Sequence, residues 1–213
     1  IVLDFFAGSA TTAHAVMMTN AQDGGQRRFI MIQLAEQCDP KSEAAKAGYA
    51  TVSELGRERV RRSGAAVRET AGLMADGLDI GFRALTIDTS GFAPVLRAPN
   101  DVEQPDLELF TESLKADRTG TDLLFQVMLD WGLDLSMPIT CAEVAERDVF
   151  RVDNDALVAC FADEVTDEVV QAIAKLCPLR VVFKDSGFAS DAERINAEQI
   201  FRELSPETEV RAI

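Results

Sequence analysis

Histidine is almost missing: His14 is the single one in 213 residues. The four cysteines, Cys38, Cys141, Cys160 and Cys177, are scattered and none has C-x-x-C spacing. These residues do not make the ligand clusters of a zinc site, and no metal is expected. Scattered thiols fit a reducing, cytoplasmic setting. Long apolar runs are lacking as well. None is long enough to cross a bilayer and nothing resembles a signal peptide, so no membrane partner is expected. No lysine or arginine lies between Ile1 and Gln26, which serves a polyphosphate ligand poorly. An initiator methionine is absent and the chain starts inside an apolar strand, as a fragment of a longer protein would.

What is present is enough for one large or two small cores: 47% of the residues are hydrophobic. The net charge of −15 is unevenly spread. Residues 1–72 carry nine basic and eight acidic side chains; residues 73–213 carry twelve and twenty-eight, a net −16. So acidic a surface repels phosphate backbones and suits protein contacts or plain solubility.

The chain is organised around its first sixteen residues. Ile1 to Phe6 reads as a buried strand carrying Asp4 near its end. A turn of small residues follows, Ala7-Gly8-Ser9-Ala10, and then a helix over Ser9 to Met18 with Ser9 or Thr11 as its cap. Strand, tight turn and helix is the unit from which open α/β sheets bind nucleotide-type cofactors. Small residues let the backbone approach a ligand, and the helix start offers unpaired N–H groups. The turn is not G-x-G-x-x-G, which weakens a nicotinamide oxidoreductase reading, and no G-K-[ST] follows as in a phosphate loop. An acid among small residues suits a ligand with an amino group and a sulfonium. His14 reads as a packed or partly exposed helical residue.

Phe29 to Leu34 is nearly all apolar, as a parallel strand buried on both faces should be. An acid after the second strand of such folds often holds ribose hydroxyls, and Gln33 and Glu36 are the candidates. Thr51 to Thr70 reads as a helix crowded by Arg57, Arg59, Arg61 and Arg62, a face for ion pairs or DNA phosphates. Asp79 to Asp88 is expected as a third strand beside the second. Phe92 to Gly120, with Pro94, Pro99 and Pro105, reads as a connector holding a short helix at Leu107 to Phe110.

Beyond it, Thr121 to Trp131 is an amphipathic helix stopped by Gly132, with Trp131 in the core. Strands at Val149 to Val152 and Leu157 to Phe161 flank the turn Asp153-Asn154-Asp155. A helix from Thr166 to Cys177, a strand at Leu179 to Phe183, a capping box of Ser190 and Glu193, a helix ended by Pro206 and an edge strand at Glu209 to Ile213 complete a small α/β domain.

Asp4-Phe5-Phe6-Ala7-Gly8-Ser9-Ala10-Thr11-Thr12-Ala13-His14-Ala15-Val16 resembles motif I of amino-group DNA methyltransferases. It looks most like the modification subunit of type III restriction–modification systems. Arg27 to Glu36, Gly48 to Ser53, Gly56 to Arg62, Phe183 to Asp191 and Leu204-Ser205-Pro206 continue the likeness along nearly the whole chain. The resemblance implies a partial doubly wound, Rossmann-like methyltransferase sheet over residues 1–92, the connector at 93–120, and an acidic α/β domain at 121–213. It implies S-adenosylmethionine as cofactor, held by Asp4, Phe5, Phe6, Ala7, Gly8, Ser9, Ala10 and Thr11, with Gln33 or Glu36 on the ribose. Family members carry Gly or Ala where Ala10 stands.

The resemblance further implies methyl transfer to adenine N6 of double-stranded DNA, a homodimer, and a restriction (helicase and nuclease) subunit as partner. The family grips its flipped base with an Asp-Pro-Pro-Tyr motif. No Pro-Pro pair occurs here, so the chain is expected to hold no catalytic residue and to be inactive alone. The family's motif order places that motif and the target-recognition region before motif I. Two rival expectations stand: a non-catalytic module for oligomerisation or restriction-subunit docking, and a methyltransferase acting on RNA or protein.

Overall fold

A computed structural model describes residues 1–72, 77–92, 114–115 and 117–213. The expected connector falls largely outside these residues, and its Leu107 to Phe110 helix entirely so. Two compact units emerge, Ile1–Thr86 and Ile87–Ile213.

In the first unit, β1 (Val2–Asp4) and β2 (Phe29–Met31) pair in parallel, with Val2 opposite Phe29 and Asp4 opposite Met31. Between them runs α1 (Thr11–Asp23), as the strand–turn–helix reading requires. Asn20 fixes the return: its buried side chain donates to the Arg27 carbonyl at 2.8 Å and accepts from the Arg27 amide at 3.1 Å. After a one-turn helix, α2 (Glu43–Lys46), comes α3 (Val52–Ala71), opened by a full capping box between Thr51 and Glu54. Helix α3 packs against α1 through Ala10, Ala13, Met17, Val60 and Val67.

Three expectations fail here. The strands are shorter than read, and they are covered on one face only. Phe29 and Met31 meet the helices, while Leu3 and Ile30 are each 49% exposed on the opposite face. The apolar pattern is two-sided, but α1 and α3 both lie on one side. The third strand at Asp79 to Asp88 does not form. Leu78, Ile80 and Phe82 alternate as in a strand, yet they spend that alternation on packing against the helices, with Ile80 over Gly64 of α3.

The second unit is a five-stranded mixed sheet in the order β3-β4-β5-β6-β7. Its strands are β3 (Ile139–Val144), β4 (Arg147–Val152), β5 (Leu157–Cys160), β6 (Arg180–Phe183) and β7 (Glu209–Ala212). The first three are antiparallel and the last three parallel. Helix α4 (Gly120–Asp130) covers one face through Leu124, Val127 and Met128 on Val152, Leu157, Ala159 and Val182. Helices α5 (Asp167–Ala174) and α6 (Asp191–Leu204) cover the other, where Val158, Cys160, Val181 and Phe183 meet Ile173 and Phe201. The period-2 alternation of β5 and β6 thus feeds two cores, and every residue of β5 is buried.

The expected hairpin turn is present, with Asp153, Asn154 and Asp155 all at positive φ. Strand β3 was not foreseen. It joins β4 through Ala145 and Glu146, both left-handed, a two-residue turn that lacks the usual Asn or Gly. The Ser190 box is half as expected. Ser190 Oγ accepts from the Glu193 amide, but Glu193 reaches one residue further back, to the Ala189 amide at 3.0 Å. Asp185, Ser186 and Gly187 form a 3-10 turn, with Asp185 paired to Arg194 at 3.2 Å. Trp131 ends α4 against the core, its ring flanked by the guanidinium groups of Arg180 and Arg211.

Candidate cofactor-binding turn

The site is built where β1 runs out. The Asp4 carbonyl accepts from the Ile32 amide at 2.8 Å and the Ile32 carbonyl accepts from the Ala7 amide at 3.1 Å, so the turn stays stitched to β2. Two residues then take left-handed backbone: Gly8 at φ 51° and Ala10 at φ 59°. Gly8 adopts this freely; Ala10 is strained there. A side chain built at Gly8 would meet only the Phe6 carbonyl oxygen, at 3.9 Å, so the face above Gly8 is open.

Neither Ser9 nor Thr11 caps α1, contrary to expectation. The N-cap is Ala10, whose left-handed conformation turns the chain into the helix without any side-chain cap. Ser9 Oγ lies 3.5 Å from Thr11 Oγ1 instead. The first amides of a thirteen-residue helix are thereby left with no side-chain partner, a setting that favours negative charge.

Asp4 braces the turn. One carboxylate oxygen accepts from the Phe6 amide at 3.1 Å and the other from Thr12 Oγ1 at 2.6 Å. Each oxygen keeps a second lone pair for a ligand donor. Gln33 is brought to the same place: its Oε1 accepts from the Gly8 amide at 2.8 Å. Glu36 is not. It is exposed, and its carbonyl accepts from the Val52 amide at the start of α3. Phe5 and Phe6 are exposed, Phe6 at 91%, while Ala7 and Ala10 are buried beneath the turn.

Three residues of the site were not foreseen as such. Thr12 holds Asp4 from the first turn of α1. Gly56 of α3 lies directly under the turn; a Cβ there would stand 3.1 Å from the Gly8 carbonyl oxygen. Arg59, one turn along the same helix, donates from Nη1 to Ser9 Oγ at 2.7 Å. In the structure Gly56, Val60, Ser63, Gly64 and Val67 form the buried stripe of α3, with Arg59 on its flank, and nothing in the local sequence pattern ties Gly56 or Arg59 to the turn. Arg61 and Arg62 behave as the ion-pairing reading has it, lying 3.5 and 2.7 Å from Glu58. The hydrogen bond from Arg62 is the main reason the Glu58 carboxyl titrates below its usual range. Among the described residues no cluster of three His, Cys, Asp or Glu side chains could hold a metal, and no helix is long and apolar enough to cross a membrane.

A parallel strand pair joined by a helix and a separate five-stranded mixed sheet with helices place the chain in the mixed α/β class, and its methyltransferase relatives suggest a Rossmann-like fold. The relatives make that class specific. The Mod subunit of the type III restriction–modification enzyme EcoP15I from Escherichia coli is 31% identical over 200 residues, 89% of this chain and 28% of that protein. The StyLTI Mod subunit from Salmonella typhimurium is 42% identical over 107 residues, 50% of this chain and 16% of that protein. The type II methyltransferase M.KpnI from Klebsiella pneumoniae is 38% identical over 60 residues, 28% of this chain and 14% of that protein. No family model matches the chain. The chain is a Mod-like sequence, related to the modification subunits of type III restriction–modification enzymes and, over a shorter stretch, to a type II methyltransferase. It spans between about a sixth and somewhat over a quarter of the length of the Mod subunits named here.

Proposed function

We propose that the polypeptide carrying this chain is an adenine-specific DNA methyltransferase of a type III restriction–modification system, and that this chain supplies its S-adenosylmethionine turn. The observation that carries the reading is the Asp4 to Thr12 turn: two left-handed small residues, an uncapped helix start and a carboxylate with free lone pairs. These features fit an S-adenosylmethionine ligand, which supplies an electrophilic methyl group on a sulfonium. Asp4 receives the ammonium of the amino-acid end. Phe5, Phe6, Ala7, Gly8, Ser9, Ala10 and Thr11 line that end, and the open space above Gly8 lets the backbone meet it. Gln33 or Glu36 holds the ribose, and the bond from the Gly8 amide to Gln33 favours Gln33. The DNA substrate, the restriction subunit and a homodimeric state come with the same reading.

Calorimetric titration of S-adenosylmethionine into the full polypeptide tests it. Asp4→Ala and Gly8→Val are expected to weaken binding at least about tenfold, since each removes a charged partner or fills the approach. Asp4→Asn separates the two duties of Asp4. Asparagine still accepts from the Phe6 amide, so folding is retained, but the charge facing the ammonium is gone and affinity falls. Affinities equal to wild type in all three variants count against the assignment.

A second reading concerns the other unit. The −15 charge of residues 87–213 suits contact with a basic protein surface, so we infer a docking or oligomerisation role there alongside the first. Co-elution of the polypeptide with its restriction subunit, lost above about 0.5 M salt where charges screen within a few ångströms, is the expected behaviour.

A further inference from the structure

An amino-acid end is a zwitterion. Asp4 answers its ammonium, but no cationic side chain on the first twenty-six residues answers its carboxylate, because no lysine or arginine occurs there. The fold brings one in from elsewhere. Arg59 projects from α3, fifty residues away in sequence, and its Nη1 reaches Ser9 Oγ at 2.7 Å. We propose that Arg59 is the binding residue for the ligand's carboxylate, an inference that rests on the S-adenosylmethionine reading above.

Four observations support this. Among the described residues no Asp or Glu pairs with Arg59, whereas its helix neighbours Arg61 and Arg62 are both committed to Glu58. The Ser9 hydrogen bond uses one of the five N–H donors of the guanidinium, leaving the fork free for a bidentate carboxylate. Arg59 is half-buried, so a charge pair there is less screened than one on the open face of α3. The group also stands beside the uncapped start of α1, whose free amides favour the same negative charge. Ser9 then acts as the post that aims the guanidinium, and Gly56, one turn earlier on α3, is what lets the helix come close enough to deliver it.

The experiment compares two probes by calorimetry on the full polypeptide: S-adenosylmethionine and its decarboxylated analogue, which keeps the ammonium, sulfonium and adenosine. Arg59→Gln is expected to lower affinity for S-adenosylmethionine by about 10- to 100-fold, the worth of a charged hydrogen-bonded pair. Its affinity for the decarboxylated analogue is expected to stay at the wild-type value, so the preference for the carboxylated ligand collapses. Arg59→Lys keeps the charge and restores part of that preference. Equal weakening towards both probes shows Arg59 to be a prop for the turn and overturns the proposal, as does no weakening towards either. Wild-type protein that binds neither probe overturns the S-adenosylmethionine reading, and this inference falls with it.

Discussion

Helix α3 touches the Asp4 to Thr12 turn through a glycine, and replacing it tests the geometry directly. A Cβ on Gly56 would stand 3.1 Å from the Gly8 carbonyl oxygen, 3.7 Å from Ala10 Cβ and 3.9 Å from the Ala10 amide nitrogen. The nearest of these is backbone, so it must yield by a few tenths of an ångström. Alanine in a helix interior gains about 1 kcal/mol over glycine. Overpacking a close contact costs about 1–3 kcal/mol. Gly56→Ala is therefore expected to change stability by between nothing and about 2 kcal/mol of loss, read by urea unfolding.

The same helix holds the control. A Cβ on Gly64 would lie 3.2 Å from Ile80 Cβ and 3.3 Å from its carbonyl oxygen. Gly64→Ala thus collects the same propensity gain and a similar penalty, but it displaces the Leu78 to Phe82 segment and not the turn. The two variants should unfold alike and bind differently. Gly56→Ala lifts Gly8 away from Gln33 and Ser9 away from Arg59, and its affinity for S-adenosylmethionine should drop about tenfold, roughly 1.4 kcal/mol, with Gly64→Ala near wild type. Equal affinities in the two variants would refute the claim that α3 sets the height of the turn.

Three further outcomes are expected. Ala10→Gly should be almost neutral in unfolding experiments, because relief of the left-handed strain, about 1–2 kcal/mol, offsets the lost methyl and the freer unfolded chain; Ala13→Gly, in helical backbone, should cost about 2 kcal/mol. Iodoacetamide on the native chain should label exposed Cys141 and Cys177 but spare Cys160, which is buried in β5 and whose thiol burial pushes above its usual range; mass spectrometry of tryptic peptides reads this out. The Lys184 hydrogen bond holds the Asp163 carboxyl below the ordinary carboxylate range, so its contribution is complete above the unfolded-state pKa and vanishes as pH falls through the lowered folded value. The destabilisation by Asp163→Asn, under about 1 kcal/mol for so exposed an acid, should be present at pH 7 and gone in strong acid, as thermal unfolding at the two pH values will show.

How far the sequence could carry these conclusions depends on whether the governing contact was local. A helix start was legible because caps act over three residues: Thr166 opens α5 where the pattern put it, whereas the Thr51 and Glu54 box of α3 and the Thr119 cap of α4 were not foreseen, and neither Ser9 nor Thr11 caps α1. The Asp153 hairpin was legible for the same reason, while the Ala145-Glu146 turn was not, since nothing in those two side chains announces positive φ. Periodicity was legible but not its use. Leu78, Ile80 and Phe82 alternate as a strand does, and only the tertiary fact that α3 presents Gly64 to them decides that they pack on a helix. The candidate site divides along the same line. Asp4 to Thr11 was readable as one continuous stretch, and Gln33 as the end of a second strand, because both lie where any βαβ unit would place them. Gly56 and Arg59 were not, because their part in the site comes from a helix crossing fifty residues downstream. A turn can therefore be recognised from its own residues, whereas what holds it at a working height and charge belongs to the packing of α3, and the variants at Gly56 and Arg59 probe the half of the site that the local pattern does not contain.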